Sequence, residues 1–195
     1  MCDMYILAIS PGRDSADGPK WEAVARSGID ALMIREKHLD ARSLLDLGKR
    51  VRDIAPGITL WINGRLDIAL ALGAGFHGGY GYPKVPPAIC PVSRPLHSLA
   101  QVKGRHATDQ LLISPVFDVP GKGQPIGVHG LHDILGGMPP WKGKLLALGG
   151  INAENAASLQ HDRLDGVALI RGLWGSGCPR ETVDRLRCVW KRKTC

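Results

Sequence analysis

Short apolar runs recur through the whole chain, and this rhythm restricts its fold more than any single motif does. They fall at residues 5–9, 31–34, 59–62, 75–77, 89–92, 110–113, 144–148 and 166–170. Runs this short, without apolar–polar alternation, suit strands buried on both faces. Between them lie stretches of helical period. The clearest is 40–54, where Leu44, Leu47, Val51 and Ile54 share a face and Asp40 is placed to cap the first turn. A second covers 180–190, with Val183, Leu186 and Trp190 on one side and Pro179 at the first-turn position. A third covers 153–159 behind a capping Asn152. Doubly buried strands alternating with helices predict a parallel sheet, and eight such units predict closure into a (β/α)8 TIM barrel, with a doubly wound open sheet as the alternative. At 195 residues the chain is short for a fold that typically takes about 250, so some helices must be reduced. The Gly-, Tyr- and Pro-rich stretch 79–87 cannot hold an ordinary helix. The expectation is one barrel domain over 1–195, with a basic tail at about 190–195.

Charge and composition exclude several function classes. The formal net charge is +7, but from Pro179 onward there are six cations against two anions, so much of the excess is a solvated tail. Aromatic residues are 5% of the chain and do not interleave with that tail, which argues against a nucleic-acid partner. The cysteines number five, are scattered, and form no C-x-x-C, as in a reduced, cytoplasmic protein. The N-terminal apolar run is too short for a signal peptide and nothing reaches membrane-spanning length, so no membrane partner is expected. Neither a G-x-S-x-G elbow nor a complete dinucleotide fingerprint is present.

In such a barrel the chemistry gathers where strands end at their C-termini, and phosphate is commonly held by the last two strand–helix loops. Gly149 and Gly150 follow the seventh predicted strand, and Ile170-Arg171-Gly172 follows the eighth, offering backbone amides and a guanidinium to an oxyanion. Arg35, Glu36 and Lys37 follow the second strand, Asn63 and Arg65 the third, His77 the fourth, and Arg94 lies near the end of the fifth. Several cations facing one cavity suit an anionic small molecule.

The same loops carry a family resemblance over roughly residues 5–175. Met33-Ile34-Arg35-Glu36-Lys37, Ile62-Asn63-Gly64-Arg65-Leu66-Asp67, Gly75-Phe76-His77, Ser114-Pro115-Val116-Phe117, Pro125-Ile126-Gly127-Val128-His129-Gly130-Leu131 and Ala147-Leu148-Gly149-Gly150-Ile151 stand in order. This series resembles the thiamine phosphate synthase/TenI superfamily. The resemblance implies a cytoplasmic thiamine-biosynthesis barrel that binds a thiazole phosphate at Gly127, Gly149, Gly150 and Arg171; Asn63, Arg65 and Ile170 at the strand ends and Lys122 in the Gly121–Gly123 loop are further candidate binding residues.

The departures bear on the reaction. Synthases of this family join a thiazole phosphate to a pyrimidine methyl diphosphate with Mg²⁺ held by two aspartates. Gly64 stands at the first of those positions, Tyr82 aligns with the second, and Met33 replaces the leading glutamine. Asn63-Gly64-Arg65 is instead similar to the TenI branch, which tautomerises a thiazole carboxylate phosphate without metal or other cofactor. The histidine that branch uses after the sixth strand corresponds here to Pro115, leaving His129 and His97 as candidate bases beside Arg35 and Lys37 as charged catalytic groups. The main expectation is therefore a TenI-like thiazole tautomerase, an isomerase. The alternatives are a Mg²⁺-dependent synthase, a transferase, and a non-catalytic thiazole or thiamine phosphate binder. A homodimer could cover apolar helix faces left by so short a barrel.

Overall fold

The first strand pairs with the last, so the sheet closes and the open-sheet alternative is excluded. This is seen in a computed structural model that describes residues 4–12, 18–79, 81–82 and 84–190; the basic tail at 191–195 lies outside the described residues. The strands are β1 (Tyr5–Ile9), β2 (Ala31–Ile34), β3 (Thr59–Asn63), β4 (Gly75–His77), β5 (Val92–Leu96), β6 (Gln110–Ile113), β7 (Leu145–Leu148) and β8 (Gly166–Leu169). Each pairs in parallel with its neighbour in chain order. The helices are α1 (Gly18–Ala25), α2 (Ala41–Ile54), α3 (Leu66–Ala71), α4 (Gly127–Gly137), α5 (Arg171–Trp174) and α6 (Pro179–Val189), with 3-10 turns at Leu99–Val102 and Ala156–Leu159. The chain is thus a short (β/α)8 barrel.

Period-two alternation divides the apolar residues between two cores. Leu7, Ile9, Ala31, Met33, Trp61, Leu112, Leu146 and Ala168 fill the barrel interior. Their neighbours along each strand, including Ile6, Ala8, Leu32, Ile34, Ile62, Leu111, Ile113, Ala147, Val167 and Leu169, face the surrounding helices. Two glycines make the interior possible. A Cβ on Gly75 would stand 2.4 Å from the Trp61 indole, and one on Gly166 would stand 1.9 Å from the Tyr5 carbonyl oxygen.

Local chemistry explains several element ends. Asp40 accepts the Ser43 N–H at 2.8 Å and caps α2, and Pro179 opens α6. Asn152 accepts the N–H groups of Glu154 and Asn155, both at 3.0 Å, yet the helix expected at 153–159 is reduced to the 3-10 turn. The fifth strand is displaced from expectation. Residues 86–90 form a turn in which Ile89 is largely exposed, and the strand is Val92-Ser93-Arg94-Pro95-Leu96. Its Ser93 and Arg94 are buried but polar, so the strand lacks the apolar signature that marks the others. Between β4 and β5 the described residues include no helix, and β5 is followed only by a 3-10 turn. That flank of the barrel is consequently thin.

Candidate active site

Parallel strands bring all the C-terminal loops to one end, and their packing can be read from the glycines. The N–H groups of Val116 and Phe117 donate to the carbonyls of Leu148 and Gly149, each at 3.0 Å, laying the loop after β6 on the loop after β7. A Cβ on Gly149 (φ 110°) would be 2.8 Å from Pro115 Cα, and one on Gly150 (φ 65°) would be 2.9 Å from the Asp118 carbonyl oxygen. Gly172 packs equally closely, with its would-be Cβ 2.8 Å from the Ile151 carbonyl. These three contacts tie the loops after β6, β7 and β8 together. The N–H groups of Gly149, Gly150 and Gly172 take no acceptor among the described residues. They form a cluster of donors beside exposed Arg171, with the Ile170 carbonyl turned instead onto Leu173 and Trp174.

Other candidates are placed less favourably. The Gly127 N–H donates to Val116 at 3.0 Å, so this amide closes the loop after β6 and is not a free donor. Lys122 stands on an exposed turn whose N–H bonds Val119. His129 projects from α4 with its side chain 95% exposed, 3.5 Å from Asp133 one turn on. The expectation that it serves as a base beside the cavity has no support in this geometry: α4 turns it outward. His97 is better oriented. Its Nδ1 lies 2.6 Å from the Ser114 carbonyl, which can only accept, so Nδ1 carries the proton and Nε2 is left with its lone pair.

Across the mouth lie the cations of β2 and β3. The Arg35 N–H donates to Ser10 Oγ at 2.7 Å, and Glu36 accepts the Gly12 N–H at 3.1 Å, which pins the loop after β1 to the loop after β2. The other Glu36 oxygen is buried without a hydrogen-bond partner and faces His38 Nδ1 at 3.7 Å. Lys37 is exposed beside it. Arg65 forks onto the exposed Asp67 through two bonds of 2.9 and 2.6 Å. That hydrogen-bonded pairing raises the guanidinium pKa and lowers the carboxyl. Asn63 ends β3 in register with His77.

His77 is the group whose weight sequence reading underestimates. Gln110 Nε2 donates to Ser93 Oγ at 3.3 Å, and the Ser93 hydroxyl is then free to donate to His77 Nδ1 at 2.9 Å. This chain of bonds is satisfied with His77 as the Nε2–H tautomer. Burial, followed by the positive charges of Arg94 and Arg35, pushes its pKa down to about 4. The imidazole therefore remains a neutral N–H donor at physiological pH. The three residues are 16 and 17 positions apart in pairs that the parallel register alone brings together, so no local pattern marks them.

The linkage has a definite sign. Because the folded state holds His77 neutral below its ordinary pKa of 6.5, its contribution is complete above that value and is lost as pH falls towards 4. The expected loss is up to roughly 3 kcal/mol. Urea midpoints measured from pH 7 to pH 4 should fall more steeply in the natural protein than in His77→Gln; identical slopes would assign the acid sensitivity to other groups.

The positions of Gly64 and Tyr82 meet in space. Gly64 has φ 74°, and a Cβ there would stand 2.7 Å from the Tyr82 hydroxyl oxygen, while the Tyr82 ring packs edge-on against Phe76 with centroids 5.7 Å apart.

Comparisons with known proteins agree with the barrel fold and show the family. A family model described as thiamine monophosphate synthase matches residues 7–173. A thiamine-phosphate synthase from Moorella thermoacetica is 34% identical over 184 residues, covering 85% of this chain and 84% of that protein. One from Syntrophomonas wolfei is 31% identical over 185 residues, covering 86% and 85%. Among solved structures, a thiamine phosphate pyrophosphorylase from Pyrococcus furiosus superposes with a TM-score of 0.79 at 24% identity, covering 95% of each chain. A 4-hydroxy-2-oxoglutarate aldolase superposes at 0.71 with 19% identity, a likeness of fold.

Proposed function

Because the chain belongs to the thiamine monophosphate synthase family, we propose that it catalyses the synthase reaction, joining a thiazole phosphate to a pyrimidine methyl diphosphate with release of diphosphate. The relatives' names support this transferase reading over the tautomerase that Asn63-Gly64-Arg65 suggested. The observation that carries it is the presence of two clusters of donors and cations, each a pole suited to an anion, across one mouth. The β7 and β8 loops offer the amides of Gly149, Gly150 and Gly172 with Arg171, and beyond the intervening β1 Arg35, Lys37 and Arg65 gather after β2 and β3. A tautomerase handles one phosphate and needs one pole. The synthase must hold a phosphate on one substrate and a diphosphate on the other.

In this reading the thiazole nitrogen forms a bond to the pyrimidine methylene carbon as the carbon–oxygen bond to diphosphate breaks. The amide cluster and Arg171 anchor the thiazole phosphate. Arg35 and Lys37 neutralise the charge that grows on the departing diphosphate, and Arg65 joins them by exchanging Asp67 for it. His77, held as a neutral N–H donor, adds a hydrogen bond without a counter-charge.

The Mg²⁺ that the resemblance implies does not fit the residues present. Gly64 offers no donor, the Tyr82 phenol closes over it, and the Asp67 carboxylate is engaged by Arg65. Among the described residues no group of three or more His, Cys, Asp or Glu side chains gathers to hold a metal. Mg²⁺ normally takes at least one or two carboxylates besides phosphate oxygens. The test is to supply both substrates and follow thiamine phosphate and diphosphate, in Mg²⁺ and in a chelator. Product is expected in both, at rates that the chelator leaves largely intact. Absence of product in both would remove the synthase reading, and product in Mg²⁺ alone would mean that the metal is seated by groups other than those named.

Tautomerisation remains as a second reading on the strength of His97, whose free Nε2 at the mouth suits a proton acceptor. Supplying the thiazole carboxylate phosphate alone separates the two. Isomerisation that disappears in His97→Gln would favour this second reaction.

A further inference from the structure

Glu36 is a carboxylate in a place that disfavours one. The residue is 3% exposed and its side chain is wholly covered, yet only Oε1 has a hydrogen-bond partner, the Gly12 N–H at 3.1 Å. Oε2 is buried with none among the described residues, and His38 Nδ1 stands 3.7 Å away. A half-satisfied buried carboxylate works against the stability of a fold, so stability alone does not account for it. Its use lies in what it holds.

Gly12 lies against both ends of Arg35. A Cβ built on Gly12 would stand 3.2 Å from the Arg35 carbonyl oxygen and 3.3 Å from Nη1 of its guanidinium. With φ at 89°, this backbone follows the arginine so closely because it carries no side chain. Arg35 continues the inward side of β2, since Met33 faces the barrel interior and Ile34 the helices. Its charge is felt at His77 on β4. The Arg35 N–H is tied in turn to Ser10, two residues before Gly12. The loop after β1 is thus a bracket for Arg35, and the Glu36 carboxylate fastens its far end.

We infer that Glu36 is a positioning residue for Arg35, an assignment that rests on Arg35 being a group that neutralises diphosphate. By holding the Gly12 N–H, Glu36 sets the backbone wall on which the guanidinium rests and so aims that cation into the mouth. It acts through Gly12 and not by contact with substrate. Glu36 also places a negative charge beside a cluster of cations, and the two effects have opposite signs. As a charge alone it repels an anion, so its removal would tighten diphosphate binding. As a positioning group its removal frees Gly12, loosens Arg35 and weakens binding.

Inorganic diphosphate is titrated calorimetrically into the full chain. Glu36→Ala should weaken its binding about tenfold. Glu36→Gln keeps an oxygen for the Gly12 N–H and discards the charge, so it should bind within about threefold of the natural protein or more tightly. In an Arg35→Ala background, Glu36→Ala should cause no further weakening. Gly12→Ala, whose methyl presses on Nη1, should repeat the loss and serves where Glu36→Ala fails to fold. The Arg35 Nε–H resonance, assigned by its absence in Arg35→Ala, reads position apart from function. It should be resolved in the natural protein and in Glu36→Gln, and averaged towards that of free arginine in Glu36→Ala and Gly12→Ala. A resonance that depends on Glu36 in a chain that binds no diphosphate would overturn the diphosphate reading and support the positioning role. Tighter binding in Glu36→Ala, an equal loss in Glu36→Gln, a further loss in the Arg35→Ala background, or an Arg35 resonance that neither Glu36→Ala nor Gly12→Ala alters would each overturn that role.

Discussion

Arg35→Ala is expected to lower kcat/KM for thiamine phosphate formation by about 10²- to 10³-fold, with little change in the urea midpoint. The size follows from what the mouth lacks. In the proposed reaction, with no carboxylate pair at positions 64 and 82 to seat a divalent cation, charge on the leaving diphosphate falls to side-chain cations. Arg35 has its backbone fixed by the 2.7 Å bond from its N–H to Ser10 Oγ. Its partners in the pole start from weaker positions. Lys37 is exposed, and Arg65 begins in a fork with Asp67. An interaction that strengthens as the bond breaks should appear mainly in kcat, whereas a purely ground-state grip would appear in KM. Arg35→Lys should recover part of the loss, since it keeps the charge and forfeits the planar two-point contact. If Arg35→Ala retained kcat/KM within about threefold of the natural protein, another group would have to neutralise the diphosphate.

What could be read from the sequence follows the same physics. Strands buried on both faces announce themselves as apolar runs, and seven of the eight strands lie where such runs predict them. β5 does not, because its inward Ser93 bonds His77 and Gln110 and its Arg94 is buried but charged, so the strand carries no apolar run. Gly149 and Gly150 are legible as a glycine turn after a strand, a candidate phosphate site. Their other reason, contact with Pro115 and Asp118 of the preceding loop, depends on tertiary packing that no spacing reveals. His129 attracts attention through its position in a motif, but a helix distributes its residues around an axis, and this one falls on the solvent side. His77, Ser93 and Gln110 are unremarkable in the sequence. They become a proton-fixing chain only when β4, β5 and β6 align.

Gly166→Ala should produce the largest loss of stability of any single methyl added to this barrel's interior. At Gly166 the obstacle is backbone: a Cβ would stand 1.9 Å from the Tyr5 carbonyl oxygen and 2.6 Å from its carbon. Tyr5 and Gly166 are partners in the β1–β8 ladder, where the sheet closes, so relief requires those strands to part. Overpacking alone typically costs about 1–3 kcal/mol, and disturbing the closing ladder adds to it, giving an expected loss of about 4 kcal/mol or failure to fold. Gly75→Ala is the instructive intermediate. Its Cβ would meet the Trp61 ring at 2.4 Å, but an indole can shift where a paired strand cannot, so a loss of about 2 kcal/mol is expected. Gly136→Ala completes the series from the other side. It is an exposed position within α4 with nothing within 4 Å of the new methyl, and helix propensity alone should stabilise the fold by roughly 0.5–1 kcal/mol. Urea unfolding of the three variants should therefore order them as Gly136→Ala, Gly75→Ala and Gly166→Ala in decreasing stability. If Gly166→Ala unfolded within about 1 kcal/mol of the natural protein, β1 and β8 could not be paired in the register described, and the closure that brings the β8 loop to the mouth would have to be revised.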